Sequence, residues 1–142
     1  MTRQPLHGTV AARWRPAVGW RAALITGPAG AGKSDLALRL IGRGWRLVAD
    51  DYAHVIASAG ALYAIAPETI AGRMEARGVG IVSACARGLT RLSLVVELVD
   101  GAVERLPEPE TRTVEGVALP LVRLKGFEAS AVEKVAAALA RL

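Results

Sequence analysis

Cysteine is almost absent: Cys85 is the only one among 142 residues. A single cysteine closes no internal disulfide, which excludes a small secreted scaffold held by cross-links. Aromatic residues make up only 4% of the chain, too few for a platform on which single-stranded nucleic acid could stack. Lysine is confined to Lys33, Lys125 and Lys134, so the net charge of +5 is carried mainly by arginine. The arginines are scattered rather than blocked, which argues against a nucleic-acid-binding stripe. No apolar run approaches the roughly 18–20 residues of a membrane span. The longest, Leu92 to Val99, is interrupted by Glu97. The N-terminal MTRQPLHG lacks the apolar stretch of a signal peptide. These absences predict a cytoplasmic protein with no membrane and no nucleic-acid partner.

What is present is enough apolar material for a core. Hydrophobic residues are 52% and charged residues 22%, ordinary values for one globular unit. The expectation is one catalytic domain over residues 1–142. Ala22–Thr26 reads as a buried strand, Lys33–Arg43 as an amphipathic helix stopped by Gly44, and Arg46–Ala49 as a second strand. Leu6–Ala12 reads as a first strand and Arg13–Trp20 as a connection. Ala53–Ser58 and Ala61–Ile65 form a hairpin pattern around Ala59-Gly60. Pro67–Met74 is expected to be a short helix. Val79–Val82, Leu92–Val99 and Val117–Leu124 are expected strands, the last with Pro120 marking an edge or a bulge. A tail helix carries the stripe Val132, Val135, Ala136 and Leu139, and Ser130 with Glu133 has capping-box spacing. The pattern predicts an α/β fold with a mixed β-sheet and flanking helices, its second half added as antiparallel strands.

One motif carries chemistry. Gly27-Pro28-Ala29-Gly30-Ala31-Gly32-Lys33-Ser34 matches G-x-x-x-x-G-K-[ST], the phosphate-binding loop. Glycines let the backbone wrap a phosphate and turn its N–H groups inward. The helix that follows presents its positive end to the anion. Lys33 adds a cation, and the Ser34 hydroxyl can ligate Mg²⁺. An apolar strand before the loop and an amphipathic helix after it give the motif its required setting. A further acidic pair, Asp50-Asp51, ends the next strand. Spacing alone makes Asp50 a candidate metal-holding carboxylate. His7, His54 and Cys85 are uninformative by themselves, and Cys85 is simplest as a small core residue.

Taken together, His7-Gly8, the loop with its extension Ser34-Asp35-Leu36-Ala37-Leu38, the segment Gly44 to Asp51, and Glu75-Ala76-Arg77-Gly78-Val79-Gly80-Ile81 resemble the catalytic domain of HPr kinase/phosphorylase. The resemblance is strongest from His7 to Val82 and matches the short alphaproteobacterial type. It implies the phosphate-loop fold of the phosphoenolpyruvate carboxykinase-like type. It also implies an ATP- and Mg²⁺-dependent serine kinase acting on the small phosphocarrier protein HPr of the phosphotransferase system. The reverse reaction would be phosphorolysis, releasing pyrophosphate. By position, the resemblance makes Asp50 the general base, Asp51 its acidic neighbour and His7 a histidine beside the aspartate. Glu75 would lie near the metal with Ser34, and Arg77 is the signature arginine. It implies a hexamer as well. Ala76 departs from the larger aliphatic residue of the signature. The segment after Ile81 is shorter than the loop that bears an arginine used in phosphorolysis, leaving Arg87 or Arg91 to replace it. Two other readings of the motif are a nucleotide-binding regulatory module without catalysis and a small-metabolite kinase.

Overall fold

Alternation along the central strands divides the interior into two layers. The structure, a computed structural model, describes residues 4–142. Strands β1 (Leu6–His7), β2 (Thr9–Arg15) and β3 (Gly19–Thr26) are followed by helix α1 (Lys33–Ile41) and β4 (Arg46–Ala49). Next come β5 (Tyr52–Ser58), β6 (Ala61–Ile65), a 3₁₀ turn at Glu68–Ile70, β7 (Arg73–Ala76) and β8 (Gly80–Ser83). The chain ends with β9 (Thr90–Leu98), β10 (Glu110–Val114), β11 (Val117–Leu124) and helix α2 (Ala131–Ala140). Ala11, Ala23 and Ile25 face one layer, filled by Leu36 and Leu40 of α1 and Val135 and Leu139 of α2. Their chain neighbours Val10, Ala12, Ala22 and Leu24 face the other, filled by Val55 of β5, Leu62 of β6 and Leu121 of β11. Side chains one residue apart on a strand point to opposite faces, so both faces of β2 and β3 must be apolar.

The main sheet runs β1-β5-β6-β9-β3-β2-β4, with β11 also on β9 and β10 on β11. Strand β9 has two partners on one side. Its first part, Thr90–Leu92, pairs antiparallel with β6, and its last part, Val95–Leu98, pairs parallel with β11. On its other side it runs parallel to β3. The expected antiparallel second half holds for β6–β9, β7–β8 and β10–β11, but β3, β9 and β11 are parallel and release the chain at one edge. Strands β3 and β4 are also parallel, with antiparallel β2 between them. That places the glycine loop after β3 and the acidic pair after β4 at the same edge.

Several expectations change in detail. The connection expected at Arg13–Trp20 shrinks to a turn at residues 16–18, closed by the Val18 amide on the Arg15 carbonyl at 3.2 Å. The helix expected at Pro67–Met74 is only the three-residue 3₁₀ turn, because Gly72 adopts φ +73 and Arg73 starts β7. β10 carries the polar sequence ETRTV and is fixed by its ladder to β11. Pro120 lies opposite Thr111 in the ladder to β10 and just before the stretch of β11 that pairs with β9. Ser130 caps α2 without a side-chain hydrogen bond. Its φ of −89° and ψ of 6° are not the extended backbone that such a cap needs. Glu133 instead pairs with Arg43 at 2.9 Å. Cys85 is exposed rather than in the core.

Candidate functional site

The glycine loop closes around its own lysine. Gly32 caps α1 at φ +98, a left-handed conformation that glycine adopts without a Cβ clash. Lys33 is buried, and its Nζ donates to the carbonyls of Gly27 at 2.8 Å and Pro28 at 3.1 Å. The ammonium is thus held inside the loop, at the N-terminus of α1. The predicted loop residues Gly27 to Ser34 lie together as the motif requires.

The acidic pair splits at the end of β4. Asp50 is buried at 6% exposure, whereas Asp51 is exposed. The cause is local: Asp51 takes φ +69, which turns the chain sharply between β4 and β5. Aspartate tolerates this region better than most residues. Asp50 Oδ1 accepts the Ser34 hydroxyl at 2.6 Å and the Thr9 hydroxyl at 3.2 Å. Its Oδ2 accepts the backbone N–H of Glu75 at 3.1 Å. One carboxylate therefore joins the phosphate loop, β2 and the β7–β8 hairpin.

His7 stands beside Asp51, with Nε2 3.0 Å from Oδ1. The aspartate it contacts is the second of the pair. Gly8 makes this possible. Its amide donates to the Asp51 carbonyl at 2.8 Å, and a Cβ there would lie 2.7 Å from Leu24 Cδ1. The His7 ring also lies against Tyr52, with centroids 5.3 Å apart. A cavity of about 330 Å³ opens between these groups, lined by His7, Lys33, Ser34, Asp51, Glu75 and Arg77 among others. The hairpin therefore brings both signature side chains, Glu75 and Arg77, to the loop. Ser34 and Glu75 offer only oxygen donors, and no cluster of three or more His, Cys, Asp or Glu suited to a metal occurs among the described residues. A sparse oxygen set fits Mg²⁺, which keeps several waters and binds through one or two protein groups together with phosphates.

The two arginines considered as replacements for the longer loop's arginine lie elsewhere. Arg87 stacks on Trp20 at 4.5 Å, with Arg46 at 5.9 Å from the same ring. Trp20 is at the end of β3 remote from the loop, roughly 20 Å away at strand rise. Arg91 lines a third cavity together with Arg15, Val18 and Gly60, around the turns at that same far end.

Sequence reasoning missed Thr9, Arg112 and Phe127. Thr9 is fully buried, and its hydroxyl also accepts the Asp51 amide at 3.2 Å. A polar residue opening an apolar strand was its only signal. Arg112 donates to Glu97 and, at 3.4 Å, to Thr26. That bond, ahead of the opposing effect of burial, holds the Glu97 carboxyl below the usual carboxylate range. Both residues line a second cavity of about 840 Å³, on the other side of the loop from the first. Phe127 lines both cavities.

Comparison with known proteins gives consistent matches. A family model, HPr Serine kinase C-terminal domain, matches residues 18–140. Among curated proteins, the HPr kinase/phosphorylase of Limosilactobacillus reuteri (strain DSM 20016) is 38% identical over 112 residues, covering 70% of this chain and 35% of the relative. That of Geobacillus sp. (strain WCH70) is 43% identical over 83 residues, covering 53% and 27%. The chain thus spans about a third of the length of such relatives. The solved HPr(Ser) kinase/phosphatase of Coxiella burnetii superposes with a TM-score of 0.79 at 23% identity, covering 98% of this chain and 89% of the other. The mixed α/β fold implied by the resemblance is therefore the fold observed.

Proposed function

Because this chain belongs to the HPr serine kinase C-terminal domain family, we propose that it is a single catalytic unit transferring the γ-phosphoryl group of ATP to a serine of an HPr-like phosphocarrier protein. The observation that carries this reading is the 2.6 Å hydrogen bond from Ser34 of the phosphate loop to Asp50. It puts a carboxylate that accepts a hydroxyl proton beside the place where phosphates bind.

Backbone N–H groups of residues 27–32 and the Lys33 ammonium hold the phosphates. Ser34 and Glu75 are the groups that would hold Mg²⁺, which would spread the charge of the transferring phosphoryl group. Asp50 takes the proton of the attacking serine, through the kind of bond it already makes to the Ser34 hydroxyl. Arg77 faces the same cavity and adds positive charge near the phosphates. Positioning and charge stabilisation supply most of the rate in such a transfer. Run backwards, inorganic phosphate would take the phosphoryl group from the seryl phosphate, leave as pyrophosphate, and Asp50 would return the proton.

A second assignment of the base has its own support. Asp51, unlike Asp50, lines the cavity, and His7 holds it at 3.0 Å. In that version Asp50 positions Ser34, and the proton goes to Asp51.

The test is incubation with γ-labelled ATP, Mg²⁺ and the phosphocarrier protein of the same organism. The expected result is acid-stable label on a carrier serine. ATP binding without label on the carrier would reject the kinase reading in favour of a nucleotide-binding regulator. Label on a small metabolite would point to the other alternative. Adding phosphate to the labelled carrier and assaying pyrophosphate tests the reverse reaction. The mass in solution tests the expected hexamer.

A further inference from the structure

Three parallel strands, β3, β9 and β11, end at one edge, and ligands of open α/β sheets bind outside such carboxyl ends. The 840 Å³ cavity lies there, between the glycine loop, the end of β9 and the turn after β11. Its size falls in the range of roughly 300–1,000 Å³ typical of pockets for small molecules. It shares Ala29, Gly30 and Phe127 with the smaller cavity lined by Lys33 and Ser34, so the two adjoin at the crest of the loop.

The turn carrying Phe127 is rigidly placed. A Cβ on Gly126 would lie 2.6 Å from the Ala31 carbonyl oxygen, so the turn sits directly on the loop. The Arg39 guanidinium of α1 donates to the carbonyls of Gly126 and Glu128. Glu128 in turn accepts Lys134 of α2 at 2.7 Å. Yet Phe127 is 68% exposed, with its ring Cζ only 2.9 Å from where a Gly32 Cβ would be. The only phenylalanine of the chain is thus left in solvent at the wall between the two cavities. Such a ring adds little to folding, while its π-face suits another flat ring.

We propose that the larger cavity takes the nucleoside of the nucleotide whose phosphates lie in the smaller one, with its base stacked on Phe127. The inference rests on the nucleotide-binding reading of the loop. Stacking is tolerant of base identity, so Phe127 strengthens purine nucleotides in general rather than selecting adenine.

The test is equilibrium binding of ATP, GTP and inorganic tripolyphosphate, each with Mg²⁺, to the whole chain. Phe127→Ala is expected to weaken ATP and GTP roughly tenfold and to leave tripolyphosphate within about twofold. Phe127→Trp is expected to restore nucleotide affinity, with ATP but not tripolyphosphate quenching emission beyond any change seen in the wild-type protein, which already holds Trp14, Trp20 and Trp45. An equal loss for all three ligands in Phe127→Ala would overturn the proposal, because the ring would then only shape the loop. No loss for any of them would place the base elsewhere. Wild-type protein binding tripolyphosphate as tightly as ATP would remove the nucleoside contact altogether. Wild-type protein binding neither would overturn the nucleotide reading itself, and this inference with it.

Discussion

The two sides of the cavity are built differently. On one side, Lys33 of the glycine loop, Asp50 and Thr9 are buried, and hydrogen bonds tie Lys33 to its own loop and Ser34 and Thr9 to Asp50. On the other, the root of the β7–β8 hairpin is anchored by buried Met74 and Ala76, by Val82 packed on the core, and by a bond from the Glu75 amide to Asp50. Its tip is open, with Val79 at 78% and Ile81 at 69% exposure. The phosphate side is thus fixed by the core, while the hairpin side is a two-stranded arm with one fixed root. Groups that stabilise charge need preorganisation, which the first side supplies. The exposed tip, with few buried contacts, opens at lower cost than the loop side.

The strongest way to break the comparison is chemical. Asp50→Asn keeps the side-chain size but turns one of two accepting oxygens into a donor, and is expected to lower transfer by about 10²–10⁴-fold, with ATP affinity measured alongside to separate loss of the base from disturbance of Ser34 and Glu75. Asp51→Asn is expected to cost much less. A larger loss for Asp51→Asn, measured as kcat in the transfer assay, would move the base to the exposed side. Next is the root of the arm. Met74→Ala empties a buried site and is expected to destabilise the fold by about 2–5 kcal/mol, measured by denaturant melts. Gly8→Val probes the rigid side. The added side chain meets Leu24 and the Ile25 carbonyl, and the expected loss is about 1–3 kcal/mol together with weaker transfer, because His7 moves off Asp51.

Acid sensitivity gives a smaller effect. Glu97 is held below the usual carboxylate range chiefly by its hydrogen bond to Arg112. A carboxylate with a depressed folded-state pKa stabilises the fold above its unfolded pKa and loses that contribution as pH falls through the folded value. With Glu97 part-exposed, the contribution is below about 1 kcal/mol. Glu97→Gln is therefore expected to flatten the acid limb of the stability profile slightly below about pH 4.5, leaving neutral stability down by that amount. Smallest is the tip of the arm. Ile81→Ser is expected to change stability by no more than about 0.5 kcal/mol. A larger loss would mean that the tip is packed in solution.

What was legible in the sequence follows the same division. The glycine loop, the helix start at Lys33 and the strand Arg46–Ala49 were readable because local chemistry dictates them. The hairpin β5–β6 was readable from Ala59-Gly60, which adopt φ values of 50° and 77°. Strand β10 was not, because its residues alternate without an apolar face and gain their place from pairing with β11. Nor was the parallel course of β3, β9 and β11, since no local pattern names a strand's partner. That gap hid Phe127, which becomes notable only once β11 is known to end beside the loop. The partner of His7 was also hidden, being set by the left-handed turn at Asp51. Cys85 was misread because its segment touches β4 through main-chain bonds to Leu47, not through side-chain burial.

The turn between β2 and β3 lies at the opposite end of both strands from the loop and the acidic pair. Both strands are in register along their whole length, Thr9 opposite Ile25 and Arg15 opposite Gly19. The ladder therefore insulates the site from changes at residues 16–18, and exposed turns of this kind tolerate insertion. A fluorophore, an affinity handle or a tether to a surface attached there would report on or immobilise the protein with the glycine loop and the acidic pair left free.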